Sequence, residues 1–186
     1  MKNTIYLSFA LLLCFSSLSA QDFSFGAKAG ANFANVTGDD VENSSSRTGF
    51  HLGAVARIGV SEKFGIQPEL IYSQQGAKDD EFDVTLKLDY LNVPVLADIV
   101  VAQGFSLQVG PQFGININSG VEDDNGNEGD VEDINSLDLG AALGAQYKLD
   151  SGLFFQARYN LGLSDIAEDS DVKNANITIS IGYFFL

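Results

Sequence analysis

The chain has 186 residues, 25 Asp and Glu against 10 Lys and Arg for a formal net charge of −15, and 45% hydrophobic residues. That length suits one domain with a sizeable core; the acidic balance excludes a nucleic-acid partner, and the hydrophobic share excludes an acidic disordered chain. One cysteine and one histidine exclude a cysteine-rich zinc site and a disulfide framework.

Lys2, the mostly apolar run Ile5–Phe15 and then Ser16, Ser17, Leu18, Ser19 and Ala20 follow the charged, apolar, small-residue order of a secretory signal peptide. Residues 1–20 are expected to be cleaved, leaving 21–186 as a single domain with no cysteine. Cys14 follows the bulky Leu13 and is expected to be lost with the signal. The apolar run is short for a membrane-spanning helix of about 20 residues, and no later stretch is long and apolar enough for one.

The remainder alternates with a period of two, the pattern of strands with unlike faces. The alternating runs are Phe23–Phe33, Phe50–Val60, Phe64–Ser73, Leu91–Val101, Phe105–Asn118, Leu137–Leu149, Leu153–Leu163 and Ile177–Phe185. In the fifth, Phe105, Leu107, Val109, Phe113, Ile115 and Ile117 alternate with Ser106, Gln108, Gly110, Gln112, Gly114, Asn116 and Asn118. Soluble strands average only about 5–6 residues.

Between these eight runs, short connections (Ser61–Lys63, Ala102–Gly104, Asp150–Gly152) alternate with long ones (Val36–Thr48, Gly76–Val84, Ser119–Ser136, Ser164–Lys173). Every long loop therefore leaves from one end, and both termini lie at the other. The pattern predicts an all-β fold, an eight-stranded antiparallel up-and-down transmembrane β-barrel with its apolar face outward and a polar interior. The four long loops hold 18 of the 25 acidic residues, where water can solvate them. A soluble lipocalin-like barrel or sandwich would instead turn the apolar face inward. Against it stand the Gly, Ser, Gln and Asn of the polar face, and the aromatics Phe50, Phe64, Tyr72, Phe105, Tyr183 and Phe185 at strand ends, where interfacial girdles form.

The phrases Gly49-Phe50-His51-Leu52-Gly53, Ser61-Glu62-Lys63-Phe64, Gln67-Pro68-Glu69-Leu70-Ile71-Tyr72-Ser73-Gln74-Gln75-Gly76, Tyr90-Leu91-Asn92-Val93-Pro94, Gly110-Pro111-Gln112 and Ala157-Arg158-Tyr159-Asn160-Leu161-Gly162 resemble the PorT-like outer-membrane β-barrel family of Bacteroidota. The resemblance implies a Gram-negative outer-membrane protein in contact with lipid and lipopolysaccharide and inserted by the barrel-insertion machinery. It also implies loops facing the cell exterior and both termini in the periplasm. The family's namesake belongs to a type IX secretion and gliding system, a role that would pass to this chain by analogy only. The family's C-terminal aromatic is replaced by Leu186, after Phe184 and Phe185.

Lys28, Arg57, Glu69, Asp98, Asp138, Lys148 and Arg158 lie on the polar face, and a narrow barrel needs such charges paired. They are read as an interior network rather than a charged pore or proton relay. His51 is the sole histidine. With Ser46 or Ser73 and Glu69 it could form the triad of a lipid-A hydrolase, but no Gly-x-Ser-x-Gly elbow is present, and no catalysis is expected. Residues 121–133 carry seven carboxylates with interspersed Asn and Gly. Asp123, Asp124, Glu128 and Asp130 are candidate divalent-cation ligands, although EF-hand spacing is absent and a solvated acidic loop is the simpler reading. No cofactor is expected. The expected role is structural or surface-interacting, through the acidic loops and a protein partner there. The alternatives are a component of a secretion or gliding assembly, and a lipid-A-modifying enzyme.

Overall fold

Side chains alternate across a strand, so a strand with small polar residues on one face and bulky apolar ones on the other must sit between two unlike environments. The computed structural model shows how this chain meets that demand. It describes residues 23–38, 44–79, 84–123, 126–131, 134–167 and 170–185. The signal-peptide expectation for residues 1–20, Asp124 and Leu186 lie outside the described residues, as does the side chain of Asp130.

The strands are β1 (Phe23–Thr37), β2 (Ser44–Ser61), β3 (Phe64–Asp79), β4 (Val84–Ala102), β5 (Phe105–Asp123), β6 (Glu128–Asp130), β7 (Leu137–Lys148), β8 (Leu153–Gly162) and β9 (Lys173–Phe184). Each pairs antiparallel with its neighbours, and β5 pairs past β6 with β7, from Phe105↔Tyr147 to Ile115↔Leu137. The first and last strands close the ring, from Gly26↔Phe184 to Thr37↔Lys173. Eight strands thus make a closed antiparallel barrel, and closure removes the unpaired edges a bilayer would not tolerate. The three-residue β6 is an addition to the eight expected strands. It folds back on the far end of β5 at Gly120↔Asp130, Val121↔Gly129 and Glu122↔Glu128.

The two faces are sorted as the alternation predicts. Leu143, Leu163, Ile179, Ile181, Phe113 and Leu70 point outward and are half or more exposed, whereas Gln67, Gln108 and Asn32 are completely buried inside. A water-soluble barrel would show the reverse. Rings gather at the level of the short turns, with Phe25 at 6.2 Å and Tyr183 at 5.8 Å from Phe185. Near the opposite end Phe50 lies 5.8 Å from Tyr72. The outward apolar run Phe64–Tyr72 of β3 matches the roughly 9–11 residues a tilted strand needs to cross a bilayer.

At the short-turn end apolar side chains fill part of the lumen. Val55, Phe154 and Phe184 form a buried cluster, with the two rings 4.8 Å apart. Phe154 lies over Gly182, its cross-strand partner. A Cβ there would sit 2.2 Å from Phe154 Cζ, so only glycine leaves room for the ring.

At the long-loop end the structure differs from the sequence expectation. Much of Val36–Thr48, Gly76–Val84 and Ser119–Ser136 is strand, because β2 to β5 run for 18, 16, 19 and 19 residues. Here the faces invert. Above Tyr72 and Leu91 the outward positions are Gln74, Lys78, Asp89 and Lys87, while Ala77, Leu88 and Tyr90 are buried inside with Val36 and Ile166, packed by Leu86, Ile134 and Val172. A barrel standing clear of lipid must bury apolar groups and wet its outside like a soluble protein. The inversion therefore marks where the bilayer ends. It also plugs the lumen with a second apolar cluster, clasped by an Ile134↔Ala167 bridge between two loops.

Candidate functional site

Two regions could carry function, the polar lumen and the loop-end rim. In the lumen, the register of β1, β3 and β8 brings three of the sequence-selected charges together. Arg158 donates to both oxygens of Glu69, Nη1 to Oε2 at 2.9 Å and Nη2 to Oε1 at 2.7 Å. Lys28 Nζ lies 2.8 Å from Glu69 Oε2 and donates to Gln156 Oε1 at 2.6 Å. Gln67 Nε2 adds a fourth bond to the same carboxylate at 2.8 Å. Nearer the turns, Arg57 Nε donates to Asp98 Oδ2 at 2.7 Å, and Gln108 Nε2 donates to Asp98 Oδ1 at 3.1 Å. Gln156 Nε2 then donates to Gln108 Oε1 at 2.7 Å, which joins the two ion groups into one network.

The other selected charges stand apart. Asp138 accepts from Ser164 Oγ at 3.0 Å nearer the loops. Lys148 lies 5.9 Å from the centre of the Phe184 ring and, with Arg57 and Asp98, borders a cavity of about 200 Å³ at the turn end. The glutamines that bridge the charges were visible in the sequence only as members of the polar face. Their interior register was the one signal available.

His51 is buried inside and bonded on both ring nitrogens. Nδ1 lies 2.7 Å from Asn32 Oδ1 and Nε2 lies 2.8 Å from Ser180 Oγ. The ring runs beside Gly30, where a Cβ would come within 2.8 Å of His51 Cε1. Neither candidate hydroxyl meets the imidazole. Ser73 accepts from Asn32 Nδ2 at 3.0 Å, and Ser46 is exposed on β2. Ser180, His51 and Asn32 do form a serine–histidine–amide chain. All three are at most 3% exposed, so the arrangement works as lumen packing, with buried polar groups satisfying one another.

On the rim, Asp123 accepts from the backbone and side-chain nitrogens of Asn127, each at 2.9 Å. Glu128 pairs with Lys87 at 2.8 Å, and the same ammonium lies 2.6 Å from Glu122. Among the described residues no group of three or more acids, histidines or cysteines is placed to hold a metal ion. Beyond the membrane band, the hydrogen bonds it donates to Glu122 and Glu128 hold the Lys87 ammonium above its ordinary pKa. That ammonium in turn holds the Glu128 carboxyl below its usual 4.5. The depressed carboxyl strengthens the β4–β5–β6 clasp above its unfolded value, and the gain disappears as pH falls through its folded value. Hydrogen exchange should therefore show the β6 amides losing protection between pH 6 and pH 3, after correction for intrinsic rates, while amides of the membrane band keep theirs.

Residues 19–168 match a family model described as the outer membrane protein beta-barrel domain. Among solved structures, Neisserial surface protein A shares 15% identity at a TM-score of 0.60, over 87% of this chain and 97% of its own. Ail, the attachment invasion locus protein of Yersinia pestis, shares 17% at 0.57, over 87% and 98%. Its complex with the heparin analogue sucrose octasulfate shares 16% at 0.56, over 88% and 99%. At such identity the likeness is one of fold. No curated protein sequence matches the chain. With a closed eight-stranded barrel, an apolar outer band and a family model spanning most of the sequence, the chain belongs to the outer membrane protein beta-barrel domain family.

Proposed function

We propose that this outer-membrane barrel is a surface-interaction protein whose acidic loop end docks a basic partner, with no catalytic step of its own. The observation that carries this reading is the segregation of charge. The four long connections, which all leave from one end of the barrel, hold 18 of the 25 acids of the sequence, and the described ones include Glu122, Asp123, Glu128 and Asp165. A field of one sign concentrated on one rim attracts oppositely charged partners and speeds their encounter. A Yersinia pestis Ail structure holds a polyanion, sucrose octasulfate; the rim described here would repel one. In this reading residues 1–20 are a cleaved signal, the loops face the cell exterior, both termini are periplasmic, and lipid and lipopolysaccharide surround the band. The four carboxylates Asp123, Asp124, Glu128 and Asp130 serve as part of the acidic field, with divalent cations as competitors for it.

The test places the full chain in nanodiscs and measures binding of a lysine-rich peptide and of heparin. The expected result is salt-sensitive binding of the peptide, weakened about tenfold when the acids of residues 121–133 become amides, and no binding of heparin. Unchanged affinity after neutralisation, or a preference for heparin, would overturn the proposal.

The PorT-like motifs favour a second reading, a component of a type IX secretion or gliding assembly. Native pull-down in mild detergent separates the two: a recovered multi-protein complex supports the assembly, and a lone barrel counts against it. Lipid-A modification is the weakest alternative, and lipid-A profiles that change in a His51→Ala strain would revive it. A channel role is disfavoured by the two apolar clusters filling part of the lumen, Val55–Phe154–Phe184 at one end and Val36–Ala77–Leu88–Tyr90–Ile166 at the other. Single-channel recordings in planar bilayers should therefore show conductance near zero. Steady open-state currents would contradict the packing.

A further inference from the structure

We infer that the lumen holds a monovalent anion of about chloride size, bound beside Arg158. Three observations lead to it. The first is a charge count. The joined lumen network contains the cations Lys28, Arg57 and Arg158 but only the carboxylates Glu69 and Asp98. Glu69 is shared by two of the cations, and Asp98 is taken by Arg57. Asp138 is held by Ser164 nearer the loops and touches none of the three. One positive charge is thus left over inside a cylinder surrounded by lipid, where an unpaired ion is costly.

The second is a space. Between this network and the loop-end apolar cluster lies a small cavity of about 20 Å³, bordered by Lys28, Arg158, Asn92, Asn160, Asn176 and Thr178. Voids of roughly 10–15 Å³ already admit one water molecule, and this one is larger. The third is a set of unspent polar groups around that space. Among the described residues, Arg158 Nε is a buried donor without a partner, although both terminal nitrogens of the same guanidinium are used. The Oδ1 atoms of Asn92, Asn160 and Asn176 are likewise buried without partners, and all three residues are at least nine-tenths buried.

A cation is disfavoured there by Arg158 and Lys28. An anion takes the free Arg158 Nε–H directly. Each asparagine offers it an Nδ2–H after a half-turn of the amide, which exchanges the positions of Oδ1 and Nδ2. The surplus charge and the free Arg158 Nε–H are then satisfied by one occupant, with the asparagine amides turned to donate to it. The site is distinct from the acidic rim and does not depend on the role proposed for it.

The test uses crystals of the full chain grown with sodium bromide, with diffraction collected at the bromine edge. One anomalous peak is expected inside the barrel, in contact with Arg158 Nε and the asparagine amides. Asn176→Leu, or Asn160→Leu if the first variant does not fold, keeps every charge but removes a donor, and is expected to lose the peak. In detergent solution the wild-type unfolding midpoint should be higher in chloride than in gluconate at equal ionic strength, and the difference should vanish in the folded variant. No anomalous peak at this position, a peak undiminished in the variant, or equal midpoints in the two salts would each overturn the assignment. In the first case water is the occupant.

Discussion

Glu69→Gln is expected to destabilise the folded barrel by about 3–5 kcal/mol, the usual cost of removing one partner from a buried ion group. Glu69 accepts two bonds from Arg158, one from Lys28 and one from Gln67, and its side chain has no solvent exposure. Glutamine keeps the shape and loses the charge, so Arg158 and Lys28 are left facing each other without the carboxylate they share. Bulk water has little access to them, because the three side chains are buried and apolar clusters lie toward both ends of the lumen. Replacing the whole group (Lys28→Met, Glu69→Leu, Arg158→Met) removes the desolvation cost together with the attraction, and should fall well short of the single-variant loss. Denaturant unfolding in lipid vesicles measures both. The chain has no tryptophan, so far-UV circular dichroism or the mobility difference between boiled and unboiled samples is the appropriate signal. A single variant as stable as wild type would mean that the three side chains are not associated in the membrane.

The same residues show how far a sequence can be read. That Lys28, Glu69 and Arg158 share the interior follows from local alternation, since each sits among small polar residues at every second position. That they meet each other does not follow. Glu69 and Arg158 are 89 residues apart, and their contact depends on the stagger of all intervening strand pairs. The eight barrel strands were legible because lipid outside and polar groups inside make opposite demands along each run. Above Tyr72 that contrast changes sign. The outside becomes water and the inside becomes apolar, so the extension through Gln74–Asp79, Val84–Asp89 and Asn118–Asp123 breaks the pattern and reads as acidic loop. Tyr90 and Leu88, deeply buried there, precede the register established by Leu91, Val93 and Val95. β6 was invisible for a simpler reason: Glu128, Gly129 and Asp130 carry no alternation and little strand propensity. The His51 partners were missed because Asn32 and Ser180 come from β1 and β9, strands that become neighbours only when the barrel closes.

Leu143→Arg is expected to cost about 2–4 kcal/mol of folding free energy in a bilayer, whereas Val60→Arg should cost about 0–1 kcal/mol. Both side chains are among the more exposed apolar groups, at 62% and 58%, so exposure alone gives no reason to separate them. Depth does. Leu143 lies midway along β7, opposite Val109 on β5 and Tyr159 on β8, at the centre of the apolar band. Val60 is next to the Ser61–Phe64 turn of β2 and β3, where an arginine reaches water and lipid headgroups without crossing hydrocarbon. The measurement is reversible unfolding of each variant in the same lipid vesicles. In water the order has no basis: a soluble barrel would accept arginine at either exposed site with a change within about 0.5 kcal/mol. A large loss at Leu143 together with a small one at Val60 can arise only if what surrounds the band is apolar and of limited thickness. Equal, small losses at both would place the outer face in water.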